Sequence, residues 1–351
     1  MHVFNKKMVC SLVAAALLGG GFLPQSAFAA KAPFASVQTV GDAAANPLLS
    51  REDPAKYAGF IWRIDAKDRD KLPRNFRTAN AAYRTDADPE KAGEGFEANP
   101  SRKGLATLYA SGSAEFSAKE FDKMVPVLRA QAKGPIYIVD LRQESHGLIN
   151  GTAVSWYGER DWGNLGKSKK AALRDEKSRL KAVRGRDVTM AKLGKDKKPV
   201  DPVTVRAASV LTEEQLVKSR GLRYFRIAAT DHVWPSAENI DAFIRFTRNL
   251  PKDAWLHFHC QAGEGRTTAY LAMYDMMKNP DLSLGTILSR QYLLGNNYVA
   301  HRVAEPKPGD WKAAYYNQKA AMVAKFYEYV QENHASGYAK PWRDWLRERF
   351  R

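Results

Sequence analysis

His259-Cys260-Gln261-Ala262-Gly263-Glu264-Gly265-Arg266-Thr267-Thr268 decides how this 351-residue chain is read. Trp255 to His259, just before it, is a short apolar and aromatic run of the kind that forms a buried strand. Behind it, Thr267 to Lys278 reads as a helix that is apolar nearly all round, with Leu271, Met273, Tyr274 and Met277, and therefore central. A turn from strand to helix aims successive backbone N–H groups inward and adds the positive end of the helix. Gln261, Ala262, Gly263, Glu264 and Gly265 are thus expected to form an anion cradle, with Gly263 and Gly265 supplying positive φ and close backbone approach. Cys260 lies at its base, where amide dipoles and Arg266 favour a thiolate. Arg266 can fold back and grip two oxygens of a phosphate with its planar fork. Thr267 or Thr268 could donate to the sulfur. Cys-x5-Arg in this setting suits nucleophilic phosphoryl transfer through a cysteinyl-phosphate.

His259 is expected to orient the cysteine and His257 to be a packed core residue. A zinc site is the rival reading, because the two histidines share one strand face and Cys260 adjoins them. No matching downstream pair of ligands completes it, and no cofactor is expected.

A thiolate nucleophile needs an acid to protonate the departing alkoxide. Leu222 to Ala228 reads as a strand, and Asp231 follows in Ala229-Thr230-Asp231-His232-Val233-Trp234-Pro235. From that loop its carboxyl can reach the cradle; capping of the following helix is the plainer alternative. That helix starts from Ser236, shows Ile240, Phe243, Ile244 and Leu250 at helical spacing, and stops at Pro251. Ile136 to Leu141 is another strand, leaving through Asp140-Leu141-Arg142-Gln143-Glu144-Ser145-His146. Glu144 or Arg142 would join the pocket wall, or both would join an arginine–carboxylate lattice. Trp311, Tyr315, Met322, Phe326 and Val330 mark a long amphipathic helix. Strands alternating with helices indicate a layered α/β domain.

The composition is 44% hydrophobic, 26% charged and 11% aromatic, which excludes a disordered chain and a multi-span membrane protein. Lys6 and Lys7, the apolar stretch Met8 to Leu23 and Ala27-Phe28-Ala29 read as a signal peptide over residues 1–29. The apolar stretch falls short of the ~20 residues of a spanning helix, so export without stable membrane insertion is expected. Of two cysteines, Cys10 would leave with the signal, so Cys260 would have no internal disulfide partner. Residues 30–55 read as a mobile or draped extension and residues 56–351 as the catalytic domain, with a basic insertion around 155–205. Lys167 to Lys198 holds 13 Lys/Arg against four Asp/Glu, over half of the chain's net +17. With sparse apolar residues, that run is expected to contribute no core. It is either a solvated insertion or a positive rim beside an anion site.

The decisive segment resembles the signature loop of cysteine-dependent phosphatases with the protein tyrosine phosphatase fold. More narrowly, the chain resembles the bacterial tyrosine-phosphatase-like inositol polyphosphatases (phytases). The matching strings are Asp140 to Gly147, Ala153-Val154-Ser155-Trp156-Tyr157-Gly158, Ala229 to Pro235 and Trp255 to Cys260. Trp311-Lys312, Tyr315-Tyr316 and Pro341-Trp342 also match. In ordinary tyrosine phosphatases the acid follows a Trp-Pro pair, whereas here it precedes one. The resemblance implies an α/β protein tyrosine phosphatase-like fold, a central sheet flanked by helices, with a small inserted partial β-barrel. It implies stepwise, metal-free removal of phosphates from myo-inositol hexakisphosphate, with Cys260 as nucleophile, Arg266 as phosphate ligand and Asp231 as general acid. His232, Asp161, Arg63, Lys312 and Tyr316 would line the substrate site, and Lys197 of the insertion would join them. Glu264 departs from the apolar residue expected there, and would oppose phosphate unless it points outward or pairs with a cation.

A small polyanionic substrate also suits the net charge of +17 better than a single phosphotyrosine does. Two other readings stay open: a secreted protein tyrosine phosphatase, and a non-catalytic basic protein that binds polyanions. The chain lacks the repeated aromatic-basic platforms of a nucleic-acid binder.

Overall fold

The computed structural model describes residues 46–93, 95–295 and 297–349, so the expected signal segment lies outside the described residues. Its strands and helices run in the order β1 (Ile61–Ala66), β2 (Arg77–Thr78), β3 (Ala110–Ala114), α1 (Ala118–Gln131), β4 (Ile136–Arg142), β5 (His146–Ile149) and β6 (Thr152–Tyr157). Then come α2 (Lys169–Val183), β7 (Asp187–Leu193), β8 (Pro199–Arg206), β9 (Val210–Leu211), α3 (Glu213–Ser219), β10 (Arg223–Ala229) and α4 (Ala237–Arg248). The chain closes with β11 (Trp255–Cys260), α5 (Gly265–Lys278), α6 (Leu284–Gly295), α7 (Ala313–Asn333) and α8 (Trp342–Arg349).

One sheet has the order β10-β4-β11-β3-β2. β10, β4, β11 and β3 are mutually parallel, and only the short β2 is antiparallel. Parallel strands need both faces covered. On one face α5 packs with α4, α6, α7 and α8 around Phe243, Phe258, Tyr270 and Phe326. On the other, α1 and α3 cover Phe116, Phe121, Ile138 and Trp255. Local signals start two of these helices: Ser117 and Glu120 form a reciprocal capping box at α1, and Ser236 Oγ accepts from Asn239 N at 3.2 Å at α4.

The second sheet has the order β8-β7-β1-β6-β5-β9 and takes β7 and β8 from the basic insertion. Its edge strands, β8 and β9, are not paired with each other among the described residues, so the six strands do not close into a full barrel. The basic run does contribute core, contrary to the reading of its composition: Ala172, Leu180, Val188 and Met190 are buried. Few apolar residues suffice because they recur at helical spacing on α2 and at alternate positions on β7. Residues 46–57 also differ from a draped tail. Leu49 and Tyr57 pack against Trp162, Leu165, Val233 and Tyr315. Glu52 accepts hydrogen bonds from Tyr57 Oη at 2.5 Å and Tyr315 Oη at 3.0 Å. No described helix is long and apolar enough to cross a membrane.

Candidate active site

β4, β10 and β11 run parallel, so their carboxyl ends meet at one edge of the sheet, where α/β folds place their ligands. Each end delivers one group: β11 ends at Cys260, β4 leads to Glu144, and β10 leads to Asp231. Cys260 is buried, and Thr267 Oγ1 donates to its sulfur at 3.2 Å. Thr268 serves elsewhere, accepting from Arg77 Nη2 at 3.0 Å.

The turn between β11 and α5 depends on Gly263. Its φ is +74°, and a Cβ there would lie 2.3 Å from Ala114 N, so no other residue fits without moving β3. Gly265 differs from expectation: it opens α5 with an ordinary φ and has open space where a Cβ would project. The first-turn N–H groups of α5 have no intrahelical acceptor and are free to face an anion. Arg77 Nη1 donates to Gly263 O at 2.8 Å, and Asn75 Nδ2 donates to Ala262 O at 2.8 Å, tying down the loop's outer side. Asn75 also holds Glu264, whose exposed carboxylate accepts at 3.1 Å. Glu264 therefore points out of the cradle. Gln261 reaches Asp65 Oδ1 at 3.5 Å.

Arg266 is buried, with Nη1 and Nη2 donating to the two oxygens of Glu144 at 2.6 and 2.8 Å. Its fork is thus held by protein. What faces the site is the Nε edge, which lies 3.0 Å from Asp231 Oδ1 without an aligned hydrogen bond. That edge is where a phosphate oxygen would be received. Burial favours a neutral Asp231, but Arg266 and His232 outweigh it and hold the carboxyl below its ordinary range. His232 Nε2 lies 3.4 Å from Asp231 Oδ2, at a backbone φ of +68°. Burial pushes His232 down to about 4, leaving a neutral ring packed edge-on against Trp311. Trp162 Nε1 donates to Asp231 O at 3.0 Å and fixes the loop from beneath.

Arg63, on β1, pairs with Asp161 at 2.7 Å and Asp65 at 2.6 Å and donates to Ser155 Oγ at 3.0 Å. Asp161 is pushed up to about 6 by burial, with Glu144 and Asp231 adding to it against Arg63. Lys312 precedes α7 with its Nζ 5.4 Å from the Trp311 ring centre, and Tyr316 is half-buried one turn on. Lys197 stands apart, exposed in the turn between β7 and β8 at a φ of +63°.

His259 is not turned toward the sulfur. Side chains alternate along a strand, so Phe258 and Cys260 face α5 while His257 and His259 face α1. His257 sits between Ser111 Oγ and Ser113 Oγ at 2.9 and 3.0 Å, and burial keeps it neutral. His259 Nε2 meets Glu213 at 2.8 Å, with Glu115 3.5 Å from Nδ1. The other oxygen of Glu213 lies 3.1 Å from His146 Nε2, and Arg142 pairs with Glu115 at 2.9 Å and Asp65 at 3.0 Å. Burial and Arg226 oppose charge on His146, but Asp140 and Glu176 drive it up to about 10. This buried lattice runs under both Cys260 and Glu144. Removing one partner from such a lattice costs about 3–5 kcal/mol, because the other charge is left buried and unpaired.

Sequence reasoning missed Lys319, Asn75, Arg77 and Glu213. Lys319 is buried and pushed down to about 8 by burial, with Asp231 and Cys260 drawing it back. A signal was present, since Lys312, Tyr316 and Lys319 recur at helical spacing on one face of α7. Asn75, Arg77 and Glu213 carry no such local signal.

The family model for PTP-like phytases, described as inositol hexakisphosphate, matches residues 139–278. The PTP-like myo-inositol phosphatase from Mitsuokella multacida, solved with myo-inositol-(1,3,4,5)-tetrakisphosphate, is 66% identical with a TM-score of 0.82, over 83% of this chain and 49% of that one. A PTP-like phytase from Bdellovibrio bacteriovorus is 32% identical with a TM-score of 0.66, over 83% of this chain and 96% of that one. Effector protein hopD2 of Pseudomonas syringae pv. tomato is 30% identical over 284 residues, 79% of this chain and 58% of its own length. The chain thus spans about half the length of the Mitsuokella protein and 58% of the effector.

Proposed function

Because this chain belongs to the PTP-like phytase family, we propose that it removes phosphates one at a time from myo-inositol hexakisphosphate through a cysteinyl-phosphate intermediate. The observation that carries this is the meeting of Cys260 Sγ, the Nε edge of Arg266 and the Asp231 carboxyl at one sheet edge. The thiolate attacks phosphorus, the ester P–O bond breaks, and the leaving alkoxide takes the Asp231 proton. Water then attacks phosphorus, giving its proton to Asp231, and the P–S bond breaks to return the thiolate as inorganic phosphate departs. Loop N–H groups and Arg266 meet the charge on the transferring group. Thr267 stabilises the departing sulfur in the second step. In this reading Arg63, Asp161, His232, Lys312, Lys319 and Tyr316 line the substrate site, and the cations among them suit a ring carrying several phosphates. Export rests on the N-terminal 29 residues and belongs to the same proposal.

The test is phosphate release from myo-inositol hexakisphosphate with chelator present, beside release from a phosphotyrosine peptide. Preference for the inositol phosphate is expected. A clear preference for the peptide would replace this reading with a protein tyrosine phosphatase, and release from neither would leave a polyanion-binding protein.

The Asp231–Arg266 pair also sets a pH signature. In the free enzyme Arg266 holds the Asp231 carboxyl below its ordinary range. A bound phosphate takes over the Nε edge and adds negative charge beside the carboxyl, so the Asp231 pKa rises in the complex. The acid works protonated, and activity falls as pH rises through its pKa. The alkaline limb of kcat is therefore expected at higher pH than that of kcat/KM, since the first reports the complex and the second the free enzyme. Asp231→Asn should remove the limb and lower kcat about 10²–10⁴-fold. Coincident limbs in the wild-type profiles would contradict the exchange of partners.

A further inference from the structure

We propose that the cavity lined by Lys67, Arg69, Lys71, Arg74 and Lys192 is a second anion subsite, which receives ring phosphates of the substrate that are not being cleaved. The inference rests on the polyphosphorylated substrate proposed above and adds where its remaining charge is held. The cavity measures about 250 Å³ and also borders Asp65, Glu115 and Glu120. Those three carboxylates are engaged within the protein. Asp65 meets Arg63 at 2.6 Å and Arg142 at 3.0 Å, Glu115 meets Arg142 at 2.9 Å, and Glu120 completes the cap of α1 at 3.1 Å. The cations are far less engaged. Lys192 pairs with the exposed Asp201 at 3.0 Å, and Lys71 only approaches Glu120 at 3.9 Å. Among the described residues, the side chains of Lys67, Arg69 and Arg74 have no partner at all.

Unpaired cations are ordinary on a surface; their position beside the phosphate loop is what marks these. Asp65 and Glu115 form a wall shared by the cavity and the loop, because Gln261 bonds Asp65 through its side chain at 3.5 Å and Glu115 N through its carbonyl at 3.3 Å. Arg74 O accepts from Ala114 N at 2.8 Å, beneath Gly263. The next residue, Asn75, bonds both Ala262 and Glu264. The turn that delivers Arg74 is thus stitched to the loop that receives the scissile phosphate. Lys192 comes from β7, which gives part of the basic insertion a place at this rim. At 250 Å³ the space is smaller than the ~300–1,000 Å³ typical of a site that encloses a whole small molecule. It fits the phosphate-bearing edge of a ring anchored elsewhere.

The test compares the wild-type chain with Arg69→Glu/Arg74→Glu on two substrates, myo-inositol hexakisphosphate and para-nitrophenyl phosphate, which has a single phosphate. A second double variant, Lys177→Glu/Lys181→Glu on α2, makes the same change in net charge outside the cavity. For the cavity pair, KM for the hexakisphosphate is expected to rise about tenfold or more. Its kcat/KM on para-nitrophenyl phosphate should stay within about twofold of wild type, as should both substrates with the α2 pair. An unchanged KM in the cavity pair overturns the subsite. Equal rises in both pairs reduce it to overall attraction, and equal losses on both substrates reduce it to damage of the loop. Substrate inhibition in the wild type that the cavity pair abolishes, with KM unmoved, would assign the cavity to a separate phosphate-bearing molecule and end the proposal. A wild-type chain that cleaves para-nitrophenyl phosphate but not the hexakisphosphate would instead remove the proposed function on which this inference stands.

Discussion

Cys260→Ser is expected to lower turnover of myo-inositol hexakisphosphate by at least about 10⁴-fold while the chain stays folded and still binds the substrate. The reasoning is chemical before it is structural. A serine hydroxyl stays neutral where a thiol can be ionised, so the loop would hold a poor nucleophile in the same place. Serine is close to cysteine in size, and Thr267 Oγ1, now 3.2 Å from sulfur, keeps an acceptor. Circular dichroism and thermal unfolding should therefore remain near wild type, and calorimetric titration should still record binding. In the wild type, a rapid denaturing quench during turnover should find phosphate attached at residue 260. Substantial phosphate release by the serine variant would sink the covalent route, and so would the absence of any trapped intermediate when turnover is limited by its hydrolysis.

Arg266→Lys is expected to lower kcat/KM by about 10²–10³-fold, the cost of losing a preorganised donor to the transferring group. The substitution keeps the charge and loses the geometry. Arg266 spends both terminal nitrogens on Glu144, at 2.6 and 2.8 Å, and still presents Nε to the site. A lysine ammonium is a single point of charge and cannot bridge Glu144 and the phosphate in that arrangement. Glu144, buried and held well below its ordinary range chiefly by Arg266 and Arg142 against burial, would lose its bidentate partner. A lower melting temperature should accompany the kinetic loss. Activity within tenfold of wild type would show that charge alone suffices and that the rigid fork is incidental.

The buried lattice beneath these groups holds the site in shape. Glu213, the first residue of α3, meets both His259 and His146. One of these histidines precedes the nucleophile, and the other follows the segment that carries Glu144. The loop is thereby fixed from the sheet side, while Asn75 and Arg77 fix it from outside. Such a cluster is costly to desolvate and tolerable only because nearly every member has a partner.

Between Trp255 and Lys278, the sequence determined the strand, the turn, the helix and the spacing of Cys260 from Arg266. It could do so because all of these are local: alternation and helical spacing define the elements, and the turn joins the strand end that carries Cys260 to the helix start that carries Arg266. Asp231 and Glu144 were legible at strand ends for a related reason, since parallel strands bring their carboxyl ends together. What only the tertiary structure decided are partners chosen across long separations. Arg266 and Glu144 stand 122 residues apart, and their bidentate bond depends on the register of β4 against β11. Alternation along β11 placed His259 and Cys260 on opposite faces, but only the packing of α3 revealed that His259 meets Glu213. The orientation of Glu264, the burial of Lys319 and the core beneath the basic run were settled in the same way. Charge and hydropathy along a chain say which residues seek partners, and only the packed elements say which partners lie within reach.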